Sequence, residues 1–312
     1  MQGQYLVLHR SGQLSQRATR ARELLSPCRV CPRECEADRL AGEQGDCETG
    51  AQARIASVGP HFGEESVLVG RSGSGTVFFG GCNLNCAFCQ NDDISQGGGG
   101  RELDAEALAA MFLHVQEGFD CHNLNLVTPT HVMPQILEAL DLAAGEGLHL
   151  PLVWNCGGYE SLESLALLDG VVDIYMPDIK FMDADPAGRF CRAPDYPEKV
   201  RAALAEMHRQ VGVLQTDDQG VATRGLLVRH LVMPGGLAGS PQAAEFLAGL
   251  SAETFVNVMA QYRPCHHARR HEDIARAITP EEHQAAVEAM RAAGLTRLDG
   301  VERGLFRLLR WI

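Results

Sequence analysis

The chain has 312 residues, of which 45% are hydrophobic, so it can bury a sizeable core, and global disorder is not expected. Its 27 basic and 40 acidic residues give a net charge of −13, which disfavours nucleic acid and anionic membranes as partners. We find no secretory signal and no apolar run of roughly 20 residues, so we expect a cytoplasmic protein whose 11 cysteines stay reduced.

Residues 1–60 are predicted to form a small N-terminal domain. A polar helix precedes the segment SPCRVCPRECEADRLAGEQGDCETG, which has too few large apolar residues to fold without a metal. Four thiolates saturate a zinc ion, and they can also hold a 4Fe–4S cluster. Zinc sites usually combine two Cys-x2-Cys pairs, and only one is present, which favours the cluster but leaves zinc open. The predicted ligands are Cys28, Cys31, Cys35 and Cys47.

The remaining domain, residues 61–312, alternates short β-rich runs with longer helical runs in six units. The strands are near-continuous apolar runs, as in parallel sheets that are covered on both faces. Six units fall short of a complete eight-fold barrel, so we predict an α/β fold with a partial (β/α)6 barrel and its chemistry at the carboxyl ends of the strands. The predicted strands are 76–80, 123–127, 151–155, 171–176, 225–233 and 254–260, and the predicted helices are 103–118, 133–147, 161–170, 194–212, 240–250 and 279–294, with Asp104, Ser240 and Thr279 as start signals.

The first predicted strand leads directly into the loop FFGGCNLNCAFCQN, which contains Cys82, Cys86 and Cys89. Three soft thiolates on one loop suit an iron–sulfur cluster or zinc. A structural zinc site needs a fourth ligand, and no cysteine or histidine continues the loop. A cluster held by three cysteines instead leaves one iron open to a substrate or cofactor.

This Cys-x3-Cys-x2-Cys loop, with Phe88 before its last cysteine, resembles the signature of the radical S-adenosylmethionine (SAM) superfamily. The surrounding residues are similar to the branch of pyruvate formate-lyase activating enzymes, and the resemblance spans most of residues 53–312 through NLNLVTPTHVMPQIL, YMPDIKF, LLVRHLVMPGG and VNVMAQYRP. It implies an oxidoreductase in which the three cysteines hold a 4Fe–4S cluster and SAM binds the open iron. One electron, from a donor such as flavodoxin or ferredoxin, then cleaves SAM to methionine and a 5′-deoxyadenosyl radical, which abstracts hydrogen from a substrate.

The resemblance also implies where the cofactor lies. Phe88 occupies the aromatic position near the adenine, and Arg229 matches an arginine that engages the methionine carboxylate. An arginine in an apolar strand needs an anionic partner if it is buried, which fits that role. Asp178 and Lys180 match an Asp-x-Lys pair near the cofactor. Asn155, at the end of the third strand, is a further candidate contact to the ribose or the methionine part.

One stretch departs from the pattern of the activating enzymes. Where they usually carry a Gly-Gly-Glu-type sequence, this chain has TPTH, residues 128–131, without a carboxylate. Thr128 and Thr130 are candidate hydrogen-bonding partners of the SAM amino group. His131 and Cys156 are candidate catalytic residues, as a proton donor or substrate contact and as a hydrogen-atom donor. The structural alternatives are the first residue of the next helix for His131 and a small buried hydrophobic residue, which the residue type favours, for Cys156.

Three functions stay open at this point. The leading hypothesis is a radical SAM enzyme that acts on an unidentified small molecule or macromolecule. The second is an activase that abstracts hydrogen from a glycine of a partner protein, which the TPTH stretch disfavours. The third is a non-catalytic iron–sulfur or zinc protein, which would not cleave SAM.

Overall fold

A computed structural model describes residues 2–299 of the chain. Within these residues the helices are α1 Tyr5–Arg10, α2 Gln13–Glu23, α3 Ser66–Val69, α4 Asp92–Ser95, α5 Ala105–Phe119, α6 Met133–Gly145, α7 Leu162–Leu168, α8 Ala184–Cys191, α9 Tyr196–Val211, α10 Ser240–Leu250 and α11 Pro280–Ala292. The strands are β1 Ala53–His61, β2 Ser74–Phe79, β3 Arg101–Leu103, β4 Leu124–Val127, β5 Leu152–Cys156, β6 Ile174–Ile179, β7 Gln215–Thr216, β8 Ala222–Leu231, β9 Phe255–Met259 and β10 Leu298–Asp299.

The six predicted strands correspond to β2, β4, β5, β6, β8 and β9, and they lie side by side in chain order. Every neighbouring pair among them is parallel. Helices connect them, as parallel strands require. The predicted α/β fold of partial-barrel type is therefore confirmed.

The two faces of this sheet bury different sets of side chains. Trp154 and Tyr175 belong to the main core, which lies between the sheet and the helices. Val153 and Met176, one position away in sequence, form a second core with Leu68 of α3. Alternation with period two therefore separates an outer, helix-covered face from an inner face.

Strand β6 begins and ends three residues later than predicted, since the predicted strand covers residues 171–176. In the structure Pro177 lies opposite Cys156 and Asp178 lies opposite Arg229, so the strand runs on to Ile179. Proline is disfavoured in central strands because it lacks an N–H group, but its neighbours here keep the register. This extension places Asp178 on the sheet rather than in a loop.

Strand β1 was not predicted. It runs antiparallel to β2 and also pairs with β3, so the predicted domain boundary at residue 60 lies inside a strand of the sheet. The following segment, residues 62–70, leaves the sheet beside Ser74, at the start of β2, and carries α3 against the inner face. The predicted range 61–312 ends outside the described residues.

The three predicted helix start signals each lie at the start of a helix, and two of them cap it with their side chains. The side chain of Asp104 accepts from the N–H group of Ala107, and Thr279 forms a reciprocal capping box with Glu282. The third helix also begins at Ser240 as predicted, but Gly239 is its N-cap and Ser240 is its first helical residue. Its hydroxyl instead contacts the ring of the buried His230 at 2.8 Å.

The N-terminal segment packs against the outside of the α/β body. Helices α1 and α2 contact α6, and α2 also contacts α7. Ser164 of α7 donates a hydrogen bond to the carbonyl of Val30 at 2.6 Å. In residues 2–299, no helix combines the length and apolar character that crossing a membrane requires.

Candidate functional site

The three-cysteine loop begins three residues after β2, at the carboxyl end of the parallel sheet. Cys86 is buried, whereas Cys82 and Cys89 are half-buried. Burial raises the pKa of Cys82 to about 12, so a metal that binds here must displace a proton. Three thiols at this edge are the donor set that an iron–sulfur cluster requires.

Phe88 lies in an aromatic cluster beneath the loop. Its ring is 5.7 Å from Phe181 and 6.0 Å from Tyr262, in edge-to-face contacts, and only 4% of the residue is exposed. Tyr262 in turn donates to the carbonyl of Ile274 at 2.7 Å, which ties together the two ends of the 262–275 loop. The predicted contact of Phe88 with adenine stays a prediction.

A fourth cysteine lies beside the loop. The sulfur atoms of Cys86 and Cys191 are 3.4 Å apart, and both residues are buried. Cys191 is the last residue of α8, a helix that the sequence pattern did not predict. No spacing rule in the sequence connects two cysteines that are 105 positions apart.

The polar residues Asn155, Asp178 and Arg229 lie on the inner face, each two positions after an inward-facing apolar residue of β5, β6 or β8. Asp178 pairs with Lys180, with 2.6 Å between Oδ2 and Nζ. Asn155 Oδ1 is 3.3 Å from Nη1 of Arg229. The structure therefore groups four predicted cofactor-contact residues near the carboxyl ends of three neighbouring strands.

Arg229 is engaged by two carboxylates that sequence reasoning missed. Glu65 accepts from Nε and Nη2 at 2.7 Å each, and Glu64 also accepts from Nη2. Asn257 donates to Glu65 at 2.7 Å, and His61 contacts Glu64 at 3.1 Å. Burial opposes the ionisation of Glu64, but Arg229 and His61 lower its pKa to about 2. This ion-pair network lies where α3 meets the inner face.

The TPTH stretch follows β4. Thr128 has a φ of +60°, a left-handed conformation that is uncommon for a residue with a β-branched side chain. The hydroxyl of Thr130 donates to Glu160, and only 1% of Thr130 is exposed. Burial raises the pKa of Glu160 to about 7. A carboxylate therefore does reach this stretch, but it comes from the loop after β5.

The two candidate catalytic residues lie away from the inner face. Cys156 belongs to the core between the sheet and the helices, and it interacts with Glu160 there. His131 is 1% exposed, and its Nε2 lies 2.9 Å from the carbonyl oxygen of Gly80. Burial lowers the pKa of His131 to about 4, so its ring is neutral near pH 7. The catalytic roles of both residues stay predictions that these positions do not favour.

The N-terminal cysteines share one cavity with His131. Arg39 also lines it, is 0% exposed, and donates to the carbonyls of Gly50 at 3.0 Å and His131 at 2.8 Å. Among residues 2–299, no three Cys, His, Asp or Glu side chains converge closely enough to chelate a single metal ion. The cysteines that line this cavity are Cys28, Cys31, Cys35 and Cys47.

The comparisons with known proteins come from sequence and from structure. The family model of the radical SAM superfamily matches residues 76–235. An uncharacterized protein of Methanocaldococcus jannaschii is 31% identical over 278 residues, covering 86% of this chain and 75% of that protein. The pyruvate formate-lyase-activating enzyme of Clostridium pasteurianum is 32% identical over 130 residues, which are 40% of this chain and 53% of that enzyme.

Solved structures show a lower similarity. A radical SAM methyltransferase from Sphaerobacter thermophilus has a TM-score of 0.45 and 15% identity, with 71% of this chain and 64% of that chain covered. The structure of TYW1 with a lysine-pyruvate adduct bound has a TM-score of 0.40 and 11% identity, with 70% of this chain and 73% of that chain covered. The match to the family model spans the cysteine loop and the strands that carry Asn155, Asp178 and Arg229. The chain therefore belongs to the radical SAM superfamily.

Proposed function

We propose that this protein is a radical SAM enzyme that binds a 4Fe–4S cluster through Cys82, Cys86 and Cys89 and abstracts a hydrogen atom from its substrate. The observation that carries the proposal is the position of these cysteines. They lie on one loop at the carboxyl end of the first parallel strand, within the segment that matches the family model. When bound, the cluster and SAM supply a 5′-deoxyadenosyl radical after one-electron reduction.

The residues of this chain hold and shield the reactants. The edge-to-face cluster of Phe88, Phe181 and Tyr262 presents an apolar surface next to the cysteines, which suits an adenine ring and excludes water from it. The inner-face residues Asn155 and Asp178 offer polar groups to the ribose and the methionine part. The paired Lys180 holds the carboxylate of Asp178 in one orientation.

The geometry limits how Arg229 meets the methionine carboxylate. A guanidinium has five N–H donors. Glu65 and Glu64 occupy the donors of Nε and Nη2, and Asn155 faces one donor of Nη1. A ligand carboxylate is thus expected to reach Arg229 through the remaining N–H of Nη1, as a single hydrogen bond rather than a bidentate pair.

The nature of the substrate is the second part of the proposal. The activase function draws support from the 130-residue similarity to a pyruvate formate-lyase-activating enzyme. Against it, the stretch 128–131 has no carboxylate of its own, since the one that reaches it is Glu160 from the loop after β5, and the 262–275 loop lies against the cysteine loop, with His266 3.1 Å from Asp92. We therefore favour an unidentified small molecule or macromolecular group other than a glycyl-radical partner, with a flavodoxin or ferredoxin as electron donor.

The test of the reaction is anaerobic. The full chain is reconstituted with iron and sulfide, reduced with dithionite and incubated with SAM, and 5′-deoxyadenosine is measured. We expect its formation in the wild type, its loss in Cys86→Ala, and its retention in Cys121→Ala, a matched variant at a buried cysteine that precedes β4. An intact cluster that forms no 5′-deoxyadenosine would contradict the proposal that the protein is an enzyme and would favour a non-catalytic iron–sulfur protein.

Substrate class is tested by isotope transfer. Cells that grew in deuterated water are separated into a small-molecule fraction and a protein fraction, and each is added to the reaction. Deuterium in 5′-deoxyadenosine identifies the fraction that contains the hydrogen donor. Deuterium transfer from the small-molecule fraction supports a small substrate. Deuterium transfer from the protein fraction supports a peptide substrate if trypsin treatment of that fraction abolishes the deuterium in 5′-deoxyadenosine.

A further inference from the structure

The cavity of the four N-terminal cysteines contains a buried cation. Arg39 is 0% exposed, and its Nη2 has no hydrogen-bond partner in the described structure. Its other contacts are two carbonyl oxygens and the sulfur of Cys28, at 3.8 Å from Nη1. A buried guanidinium whose hydrogen-bond partners among the described residues are neutral carbonyls and a thiol is costly, because a charge in the interior requires an opposite charge.

Cysteine thiolates on a metal supply that opposite charge. The thiolate is the form of cysteine that ligates metals, and several thiolates around an iron–sulfur core or a zinc ion make the group anionic. Nδ1 of His131, also without a partner, lines the same cavity. A cavity lined by four thiols, an unpaired guanidinium donor and an unpaired imidazole nitrogen is thus built for an anionic metal–thiolate group.

The sequence pattern of the cysteines favours a cluster over a single ion. The four residues line one cavity, so either group could draw on all four thiols. A tetrahedral zinc ion draws its sulfur ligands to about 2.3 Å, whereas a cubane cluster separates them around its own volume. The single Cys-x2-Cys pair in the segment agrees with this choice.

The same cavity lies against the loop of Cys82. A Cβ atom added to Gly81 would lie 2.5 Å from the carbonyl oxygen of Cys47 and 3.1 Å from Nε2 of His131, and Gly81 has a φ of +84°. Only glycine fits such a close approach. Arg33, which also lines the cavity, donates through Nε to the carbonyl of Asn83 at 2.9 Å. The two cysteine sites are therefore in direct backbone contact.

We propose that Cys28, Cys31, Cys35 and Cys47 bind a second iron–sulfur cluster, that Arg39 is its buried counterion, and that electrons enter the enzyme there and pass to the loop of Cys82, Cys86 and Cys89. The electron-transfer part rests on the proposed function. A reduced carrier of the flavodoxin or ferredoxin class loses one electron to the second cluster, which then reduces the loop cluster by one electron. No bond forms or breaks, and the second cluster returns to its oxidised state.

Metal content tests the site itself. Anaerobically reconstituted wild-type protein is expected to contain about eight iron atoms and the triple variant Cys82→Ala/Cys86→Ala/Cys89→Ala about four, since each cubane contributes four. The reduced triple variant should give an electron paramagnetic resonance signal that SAM does not alter. Two results would overturn the proposal. The first is a wild-type protein with about four irons and about one zinc. The second is a wild-type protein with about four irons together with a triple variant that contains no metal.

The counterion is tested by the midpoint potential of the second cluster, measured in the triple-variant background. Arg39→Gln removes a buried positive charge, so the reduced cluster is less stabilised and the potential should shift to a more negative value. Arg39→Lys should keep most of the wild-type potential, and Arg29→Gln, at an exposed arginine of the same segment, should leave it unchanged. An unchanged potential in Arg39→Gln would exclude the counterion role.

If Arg39→Gln does not fold, Asp46→Asn tests the same electrostatics with the opposite sign. Asp46 lines the cavity at its exposed rim, so losing its negative charge should shift the potential to a more positive value. No shift would show that the redox centre lies elsewhere.

Electron entry is tested by comparing two reductants. Cys28→Ser/Cys31→Ser should lose at least about tenfold more of its 5′-deoxyadenosine rate with a reduced flavodoxin than with dithionite, which as a small molecule reaches the loop cluster directly. Equal losses with both reductants would overturn the relay. If the wild type forms no 5′-deoxyadenosine with either reductant, the proposed function fails, whereas the iron content and the Arg39 shift still decide the second cluster.

Discussion

Glu65 accepts hydrogen bonds from Nε and Nη2 of Arg229, each at 2.7 Å, across 164 positions of sequence. Only 4% of Glu65 is exposed, so this is a buried bidentate ion pair rather than a surface contact. Arg229, which the sequence predicts to bind the cofactor, thus has a structural partner of its own. Replacing Arg229 is therefore expected to change both the stability of the fold and the binding of SAM.

Arg229→Gln is expected to lower the free energy of unfolding by about 3–5 kcal/mol, because it leaves buried carboxylates without a partner. Adding Glu65→Gln should recover part of this loss, since the second change removes one unpaired charge. Urea unfolding measures both variants. Arg209→Gln, which breaks ion pairs on a side chain that is 58% exposed, should change stability by no more than about 1 kcal/mol. Equal stability of the single and double variants would contradict the pairing.

The same double variant separates folding from ligand binding. If Arg229 meets the methionine carboxylate, Arg229→Gln/Glu65→Gln should bind SAM at least about tenfold more weakly than the wild type, because a charge-assisted hydrogen bond contributes about 1.5–3 kcal/mol. Equilibrium dialysis with cluster-loaded protein gives the affinity. Wild-type affinity in the recovered double variant would assign Arg229 a purely structural role.

We predict that the buried His230 lowers the free energy of unfolding in mild acid. Burial lowers its pKa to about 4 from the usual 6.5, so the unfolded chain binds a proton more readily than the folded chain does. Its contribution is complete above pH 6.5 and is lost as the pH falls towards 4. In the His230→Gln variant, the free energy of unfolding should therefore depend less on pH between 6.5 and 4. His131 titrates in the same direction, so the slope should decrease but not vanish.

For Glu160 we predict the opposite dependence of stability on pH. Burial raises its pKa to about 7 from the usual 4.5, so its contribution to stability is complete below pH 4.5 and is lost as the pH rises through 7. Glu160→Gln keeps a neutral group of the same shape beside Thr130. Its stability relative to the wild type should therefore be higher at pH 8 than at pH 5, as measured by urea unfolding at the two pH values. A constant difference would show that the carboxyl does not titrate in this range.

We predict that Cys86 and Cys191 can be oxidised to a disulfide in the metal-free protein. Because their sulfur atoms are 3.4 Å apart, treatment with diamide should oxidise the two thiols to a disulfide. Peptide mapping without reductant detects the link, and the oxidised protein should then fail to take up iron at the loop. Cys191→Ser should keep its capacity for iron after the same treatment, whereas Cys121→Ser should behave as the wild type.

Sequence patterns predicted the parallel sheet because each strand is a compact apolar run followed by a helical period. The cysteine loop was equally clear, because its three ligands occupy eight residues. Strand β6 lies three residues further along the chain than the predicted run 171–176, because pairing across the sheet, with Asp178 opposite Arg229, continues it past Pro177, and local composition does not encode that pairing. Glu65 and Arg39 were missed for a different reason. Their partners, Arg229 and His131, are 164 and 92 positions away, and no periodicity encodes such a pairing.

The insertion of α3 against the inner face has a consequence for traffic through the enzyme. Asn123, just before β4, donates to the carbonyl of Leu68 at 3.0 Å, which seats this helix at the amino ends of the strands. Within the described residues, α3 therefore covers the inner face at the amino ends of the strands. If the protein cleaves SAM as we propose, methionine and 5′-deoxyadenosine are expected to leave at the carboxyl ends of the strands, where the substrate also enters, so the products must depart before the next substrate can bind.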